Sequence, residues 1–253
     1  MSISLRGAAL TLVSSALLTS TAHAGIFDFD PAEGGYYISG FGGAALPFDA
    51  DFDGVQDPVA GIPGVAGAPA EIEADFNTAA HFGGRVGTKL PFKYWKYFQP
   101  RLELEVSTFE ADVESGSFNG GTQTFSGDQS TTLFLINNNS DWIWSDDQKI
   151  IPYFGGGIGV AKVDSDIQYF PAAASAPTFA VQGDDIGLAT ISTLGLTFKA
   201  TETLDVFTEA RYLKTYGIDA ERTFIAGGAS SFNADVDDDP DGITITGGVR
   251  VNF

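Results

Sequence analysis

The sequence predicts an all-β protein, an eight-stranded antiparallel up-and-down transmembrane β-barrel. Three observations carry the prediction: eight segments whose side chains alternate in character with period two, connections that alternate long and short, and charges gathered on one face of the segments. Composition agrees, since 31 Gly and 21 Phe against a single Met describe many turns and close backbone approaches, with large rings in place of pliable filler.

The predicted strands cover 35–46, 78–90, 98–111, 131–142, 150–163, 186–198, 204–214 and 242–253. The second carries Arg85 and Lys89 on its polar face, and the third carries Arg101, Glu103 and Glu105 there. The fourth is the least regular, because the run Asn137-Asn138-Asn139 turns at least one amide toward the apolar side. In the fifth, Phe154, Ile158 and Val160 oppose Tyr153, Gly155, Gly157 and Gly159, and Lys162 falls on the apolar face near the strand's end, where its stem can snorkel. In the sixth, Ile186, Leu188, Leu194, Leu196 and Phe198 oppose Gly187, Ala189, Thr193, Gly195 and Thr197. The seventh gives Asp205, Glu209 and Arg211 to the polar face. In the eighth, Ile243, Ile245, Val249, Val251 and Phe253 oppose Thr244, Thr246, Arg250 and Asn252.

The connections 47–77, 112–130, 164–185 and 215–241 are long, and those between them are short. A sandwich has no reason to sort its loops by end, whereas transmembrane barrels combine short periplasmic turns with longer extracellular loops. Folding the second and third strands about the turn at 91–97 brings Arg85 opposite Glu103 or Glu105, a cross-strand pair of opposite sign. In a narrow barrel inward side chains fill the interior, so Arg85, Arg101, Glu103, Glu105, Glu209 and Arg211 form a lumen charge cluster. A register slip of one residue turns these charges toward lipid, at about 2–4 kcal/mol for each Arg near the midplane, so the register is fixed.

A net charge of -20 excludes a phosphate-backbone partner, and the absence of Cys excludes disulfides and thiolate chemistry. Residues 1–24 read as a secretory signal: a basic start at MSISLR, a short apolar run, and the small-x-small site Ala22-His23-Ala24. Residues 25–34 are then a short periplasmic segment, and 35–253 the barrel with four long extracellular loops. The turn KLPFKYWKYFQP gathers Tyr94, Trp95, Tyr97 and Phe98 with Lys89, Lys93 and Lys96, the composition of an aromatic girdle at one membrane interface. The long connections are acidic instead, as in ALPFDADFDGVQD and NADVDDDPDGI.

These stretches, with GYYISGFGGAAL first, PRLELEVSTFEADV third, PYFGGGIGVA fifth, DVFTEARYL seventh and GGVRVNF at the end, resemble the small OmpA/opacity-type outer-membrane β-barrels of Gram-negative bacteria. The resemblance spans most of the chain after the signal and rests on the order of weak motifs. It implies a cell outer-membrane location, outer-membrane lipids as surroundings, and a C-terminal strand read by the barrel-assembly machinery. Val249, Val251 and Phe253 are the residues that would form that insertion signal.

Three local patterns invite a chemical reading. Asp49, Asp51, Asp53 and Asp57 alternate around Gly54 like calcium-loop ligands, echoed by Asp237, Asp239 and Asp241, but Ala60 stands where the bidentate Glu of an EF-hand belongs. The competing reading is a solvated acidic loop, so calcium is the one candidate cofactor. His81, the sole histidine after signal removal, faces inward near Ser107, and a polar lumen residue outweighs a catalytic base. The GFGG and GGGIGV runs lie within strands with no following helix or Lys, which rules out a phosphate-cradling loop and favours room for large interior neighbours. The expected function is a non-enzymatic surface protein for envelope integrity or contact with the environment, its extracellular ligand open. A narrow pore for small solutes is the alternative, and a lipid-acting barrel enzyme a more distant one.

Overall fold

The computed structural model describes residues 27–29, 34–59, 66–119, 121–122, 124–170, 177–225 and 231–253. The predicted signal at 1–24 lies outside them. The described chain forms one fifteen-stranded sheet: β1 (Phe27–Phe29), β2 (Gly35–Pro47), β3 (Ala50–Gln56), β4 (Ile72–Phe76), β5 (Ala79–Lys89), β6 (Phe92–Tyr94), β7 (Phe98–Phe118), β8 (Gly121–Thr122), β9 (Thr124–Trp142), β10 (Ile150–Phe170), β11 (Phe179–Lys199), β12 (Leu204–Tyr216), β13 (Ile218–Phe224), β14 (Ser231–Asp238) and β15 (Asp241–Asn252). All its pairings are antiparallel.

The eight predicted segments are β2, β5, β7, β9, β10, β11, β12 and β15. Each pairs with the next, and β15 pairs back onto β2, so their ladders form a closed circuit. The short turns, Gly35 and Phe253 all lie at one end of it. Alternation sets the two faces. Ile38, Val86, Leu104, Ile136, Ile158, Leu194, Val206 and Ile245 project outward and are exposed, while Arg85, Glu105, Asn137, Tyr153 and Glu209 project inward and are buried.

The expectation of long open loops needs correction. Within 112–130, β7 continues to Phe118 and β9 begins at Thr124, and within 164–185, β10 continues to Phe170 and β11 begins at Phe179. The other two connections hold the hairpins β3–β4 and β13–β14. With β3 paired to β14, β4 to β7 and β13 to β11, a second circuit stands on the first. Asp, Ser and Gly in these segments read as loop by propensity, but pairing with long neighbouring strands overrides a preference worth at most about 1 kcal/mol per residue.

The interior changes character along the axis. Nearest the short turns it is charged. Above that come Leu133, Leu135, Val163, Ile191 and Leu213, and within the outer circuit Phe52, Ile72, Phe125, Ile167, Tyr169 and Val181 form a second apolar core. Arg222 ties this outer core together: its guanidinium lies 5.3 and 5.1 Å from the ring centroids of Phe118 and Phe179 and donates to the side-chain oxygen of Gln56 on β3.

Candidate functional site

The lumen charge cluster is built by strand alternation alone. Arg85 on β5 stands opposite Glu105 on β7, with Nε 2.8 Å from Oε2. The same guanidinium reaches across the lumen to Glu209 on β12, donating from both Nη atoms. Arg211 binds Glu105 at 2.8 Å, and Arg101 binds Glu103 at 2.8 Å. All six residues named from the sequence therefore meet in one network, and every one of them is buried.

The network is wider than those six: Tyr37 and Asp141 are not singled out from the sequence, whereas Lys89, Tyr153, Asp205 and Arg250 are placed on the polar face without being assigned to the cluster. Asp141 lies 3.0 Å from Arg101 Nε, and Asp205 is shared by Arg250 at 3.6 Å and Lys89 at 3.8 Å. Tyr37 donates to Glu103 at 2.6 Å and Tyr153 to Glu209 at 2.7 Å. The irregular Asn run resolves by parity. Asn138 faces out, while Asn137 and Asn139 face in and donate to Glu105 and Glu103 at 2.8 and 3.1 Å. The signal was present, since Leu133, Leu135, Asn137, Asn139 and Asp141 share one parity.

Glycine makes room for this arrangement. A Cβ at Gly83, Gly87, Gly195 or Gly248 would come within 2.3–2.5 Å of the ring edges of Phe41, Tyr37, Tyr153 and Phe207 respectively. Those rings lie flat against the wall and offer their faces to the cations: Arg85 is 4.3 Å from the Phe41 centroid, Arg101 4.7 Å from Tyr153, and Arg250 4.8 Å from Tyr37. Gly195→Val is expected to displace Tyr153 from Glu209 and lower stability by about 1–3 kcal/mol, read as a lower temperature of heat modification on a detergent gel.

Other candidates come out differently. His81 is fully buried, flanked edge-on by Phe41 and Phe109, and neither ring nitrogen has a hydrogen-bond partner. Ser107 donates instead to Glu105 at 2.9 Å, so the hydroxyl–imidazole pair that nucleophilic catalysis needs is not formed. Asp49, Asp51, Asp53 and Asp57, the candidate calcium ligands, belong to the outer circuit. These residues lie on or beside strand β3, where side chains two apart project in a row on the outer face and do not converge around a point. Asp49 shares a hydrogen bond with Asp75; burial and that bond raise its pKa. Among the described residues no three acidic or histidine side chains are placed to hold a metal ion.

The outer circuit carries carboxylates directly opposite one another on its outside: Asp53 and Asp219 each face Asp237, Asp235 faces Glu221, and Asp128 lies between Asp112 and Asp166. At the opposite end the aromatic cluster of Tyr94, Trp95 and Phe98 is extended by Trp142, Trp144 and Phe154 from the neighbouring strands and turn, with ring centroids 5.4–6.2 Å apart. Between these two zones the outer wall is aliphatic.

No protein-family model matches the sequence, and no curated protein sequence matches it. Solved structures do. The chain is similar to the outer membrane protein OprG from Pseudomonas aeruginosa, with a TM-score of 0.51, 15% identity, and 87% of this chain and 96% of that one covered. It is also similar to the outer membrane protease OmpT from Escherichia coli, with a TM-score of 0.50, 9% identity, and 89% and 98% covered. At such identities the likeness shows the fold: an all-β antiparallel architecture of the outer-membrane β-barrel type.

Proposed function

We propose that the chain is an eight-stranded transmembrane β-barrel of the outer membrane that acts as a non-enzymatic, non-conducting surface protein. The short turns, Gly35 and Phe253 face the periplasm, and the acidic outer circuit faces outward from the cell. The observation that carries this is the filled lumen, where Arg85, Arg101, Arg211 and Arg250 are buried against Glu103, Glu105, Asp141, Asp205 and Glu209. Charges are tolerated inside only when paired and hydrogen-bonded, and here the same pairing closes the lumen to solutes. The aliphatic wall suits hydrocarbon, and the aromatic cluster with Lys93 and Lys96 suits an interface. Val249, Val251 and Phe253 project outward on the last strand, the placement expected of an insertion signal for the barrel-assembly machinery. What the outer circuit presents is an acidic β-wall, suited to envelope integrity or contact with the environment.

The test is conductance. Purified protein reconstituted into planar bilayers at neutral pH is expected to give no discrete current steps, with the porated control made by replacing Arg85, Glu105, Glu209 and Arg211 together by Ser. Stepwise currents from the unmodified protein would overturn the closed-lumen reading and favour the narrow pore.

A further inference from the structure

The two circuits meet at a joint. There β12 gives way to β13 through Gly217, at a φ of 68° that favours glycine, and β14 returns to β15 through Asp239 and Pro240. The joint is pinned by Gly217 N–H donating to Asp239 Oδ1 at 2.9 Å and Thr215 N–H donating to the Pro240 carbonyl at 2.8 Å. The last rung of the β13–β14 ladder, beside this joint, pairs Ile218 with Asp238.

Asp238 breaks the pattern of its strand. Its neighbours Asp235, Asp237 and Asp239 point outward, but Asp238 points inward and is 7% exposed. Its carboxyl accepts from the backbone N–H groups of Asp239 and Asp51, yet Oδ2 has no hydrogen-bond partner. The charged groups acting on it are themselves acidic. Asp51 comes from β3 and Asp239 from its own chain end, and beyond them the Asp53–Asp237–Asp219 row crosses all three strands. Burial beside other carboxylates favours the neutral acid over the carboxylate.

We propose that Asp238 is a proton-operated latch: when neutral it holds the β13–β14 hairpin closed in the outer circuit, and when ionised it loosens that hairpin about the Gly217–Pro240 joint. Burial, aided by Asp51 and Asp239, pushes its pKa up to about 6, above the ordinary 3.8. A carboxyl whose folded pKa is raised stabilises the closed form fully below the ordinary value, and that advantage is lost as pH rises through about 6. The hairpin is thus tightest in acid and loosest at neutral pH and above.

Hydrogen exchange of the whole protein in detergent micelles, corrected for intrinsic rates, reads the latch whether or not the lumen conducts. Protection of 218–224 and 231–238 is expected to fall roughly tenfold between pH 5 and pH 8, while β5, β7 and β12 hold theirs. Asp238→Asn, which keeps the shape and both N–H contacts, is expected to make the profile flat, and Asp235→Asn, outward on the same strand, is expected to leave the fall intact. Asp238→Ser serves the same purpose should the Asn variant fail to refold. A flat profile in the unmodified protein, or an undiminished fall in the Asp238 variants, would overturn the proposal.

Discussion

Glu209→Ala is expected to lose about 3–5 kcal/mol of folding stability, because it removes a buried carboxylate that Arg85, Tyr153, Thr246 and Arg211 share. Glu209 accepts from Arg85 at 3.0 Å through Oε2 and again through Oε1, from Tyr153 at 2.7 Å and from Thr246 at 3.2 Å, with Arg211 Nε a further 3.7 Å away. Its removal leaves Arg85 with Glu105 at 2.8 Å and Glu103 at 3.9 Å, and strips both Nη atoms of the carboxylate they donate to. Replacing both ends of the pair, as Arg85→Met with Glu209→Met, is expected to recover much of the loss, since well-packed apolar side chains of similar volume often match a buried ion pair. The measurement is urea unfolding in lipid vesicles followed by gel migration of the folded form. Equal losses for the single and double replacements would show that packing, not uncompensated charge, dominates the lumen. A loss below about 1 kcal/mol for Glu209→Ala would mean that the network is solvated, as surface pairs are.

The lumen was legible in advance to the extent that parity could place it. Arg85, Arg101, Glu103, Glu105, Glu209 and Arg211 fall on the polar side of strands whose other side is aliphatic, so a period of two assigns them inward with no knowledge of contacts. What parity does not give is which strands become neighbours across the lumen. The Arg85–Glu209 pair joins residues 124 apart in sequence and depends on circuit closure. Glycine was informative in the same limited way. Its abundance in GFGG and GGGIGV indicates close approach, but only the structure shows that Gly87 and Gly195 seat Tyr37 and Tyr153 beneath the arginines.

The outer circuit was not legible because its segments pair two like surfaces. Asp51 faces Glu73 and Asp53 faces Asp237, arrangements that local cross-strand preferences disfavour. They persist because Phe52 and Ile72 beneath them bury fully, and apolar burial of about 1.5–3 kcal/mol per large side chain outweighs exposed repulsions of a few tenths each. Reading acidity as loop therefore inverted cause and consequence: the inward Phe and Ile decide the strand, and the outward carboxylates tolerate it. The same inward face holds Asp51 and Asp53 in extended backbone, so their side chains project in a row on the outer side.

Leu104→Arg is expected to cost about 2–4 kcal/mol in a bilayer, whereas Glu110→Arg, six residues along the same face of the same strand, is expected to cost nothing or to stabilise. Leu104 stands opposite Val86 and Ile136, and all three project outward in the middle of the aliphatic wall. Arginine there meets hydrocarbon from every side, too far from either interface for its stem to bring the guanidinium to water. Glu110 is outward and exposed as well, but lies beyond Thr108 and Thr132, where the wall turns acidic. A cation at that position gains from Asp112, Asp128 and Asp164 nearby and removes a like-charge repulsion. If water covered the whole outer face, both substitutions would be surface changes within about 0.5 kcal/mol of neutral and their difference would vanish. Unfolding in phospholipid vesicles beside unfolding in detergent decides between these outcomes. The Leu104 penalty should be largest in the bilayer, and repeating it at Val106 and Leu102 should trace the depth profile of the hydrocarbon along β7, falling toward the aromatic cluster at one end and toward the carboxylates at the other.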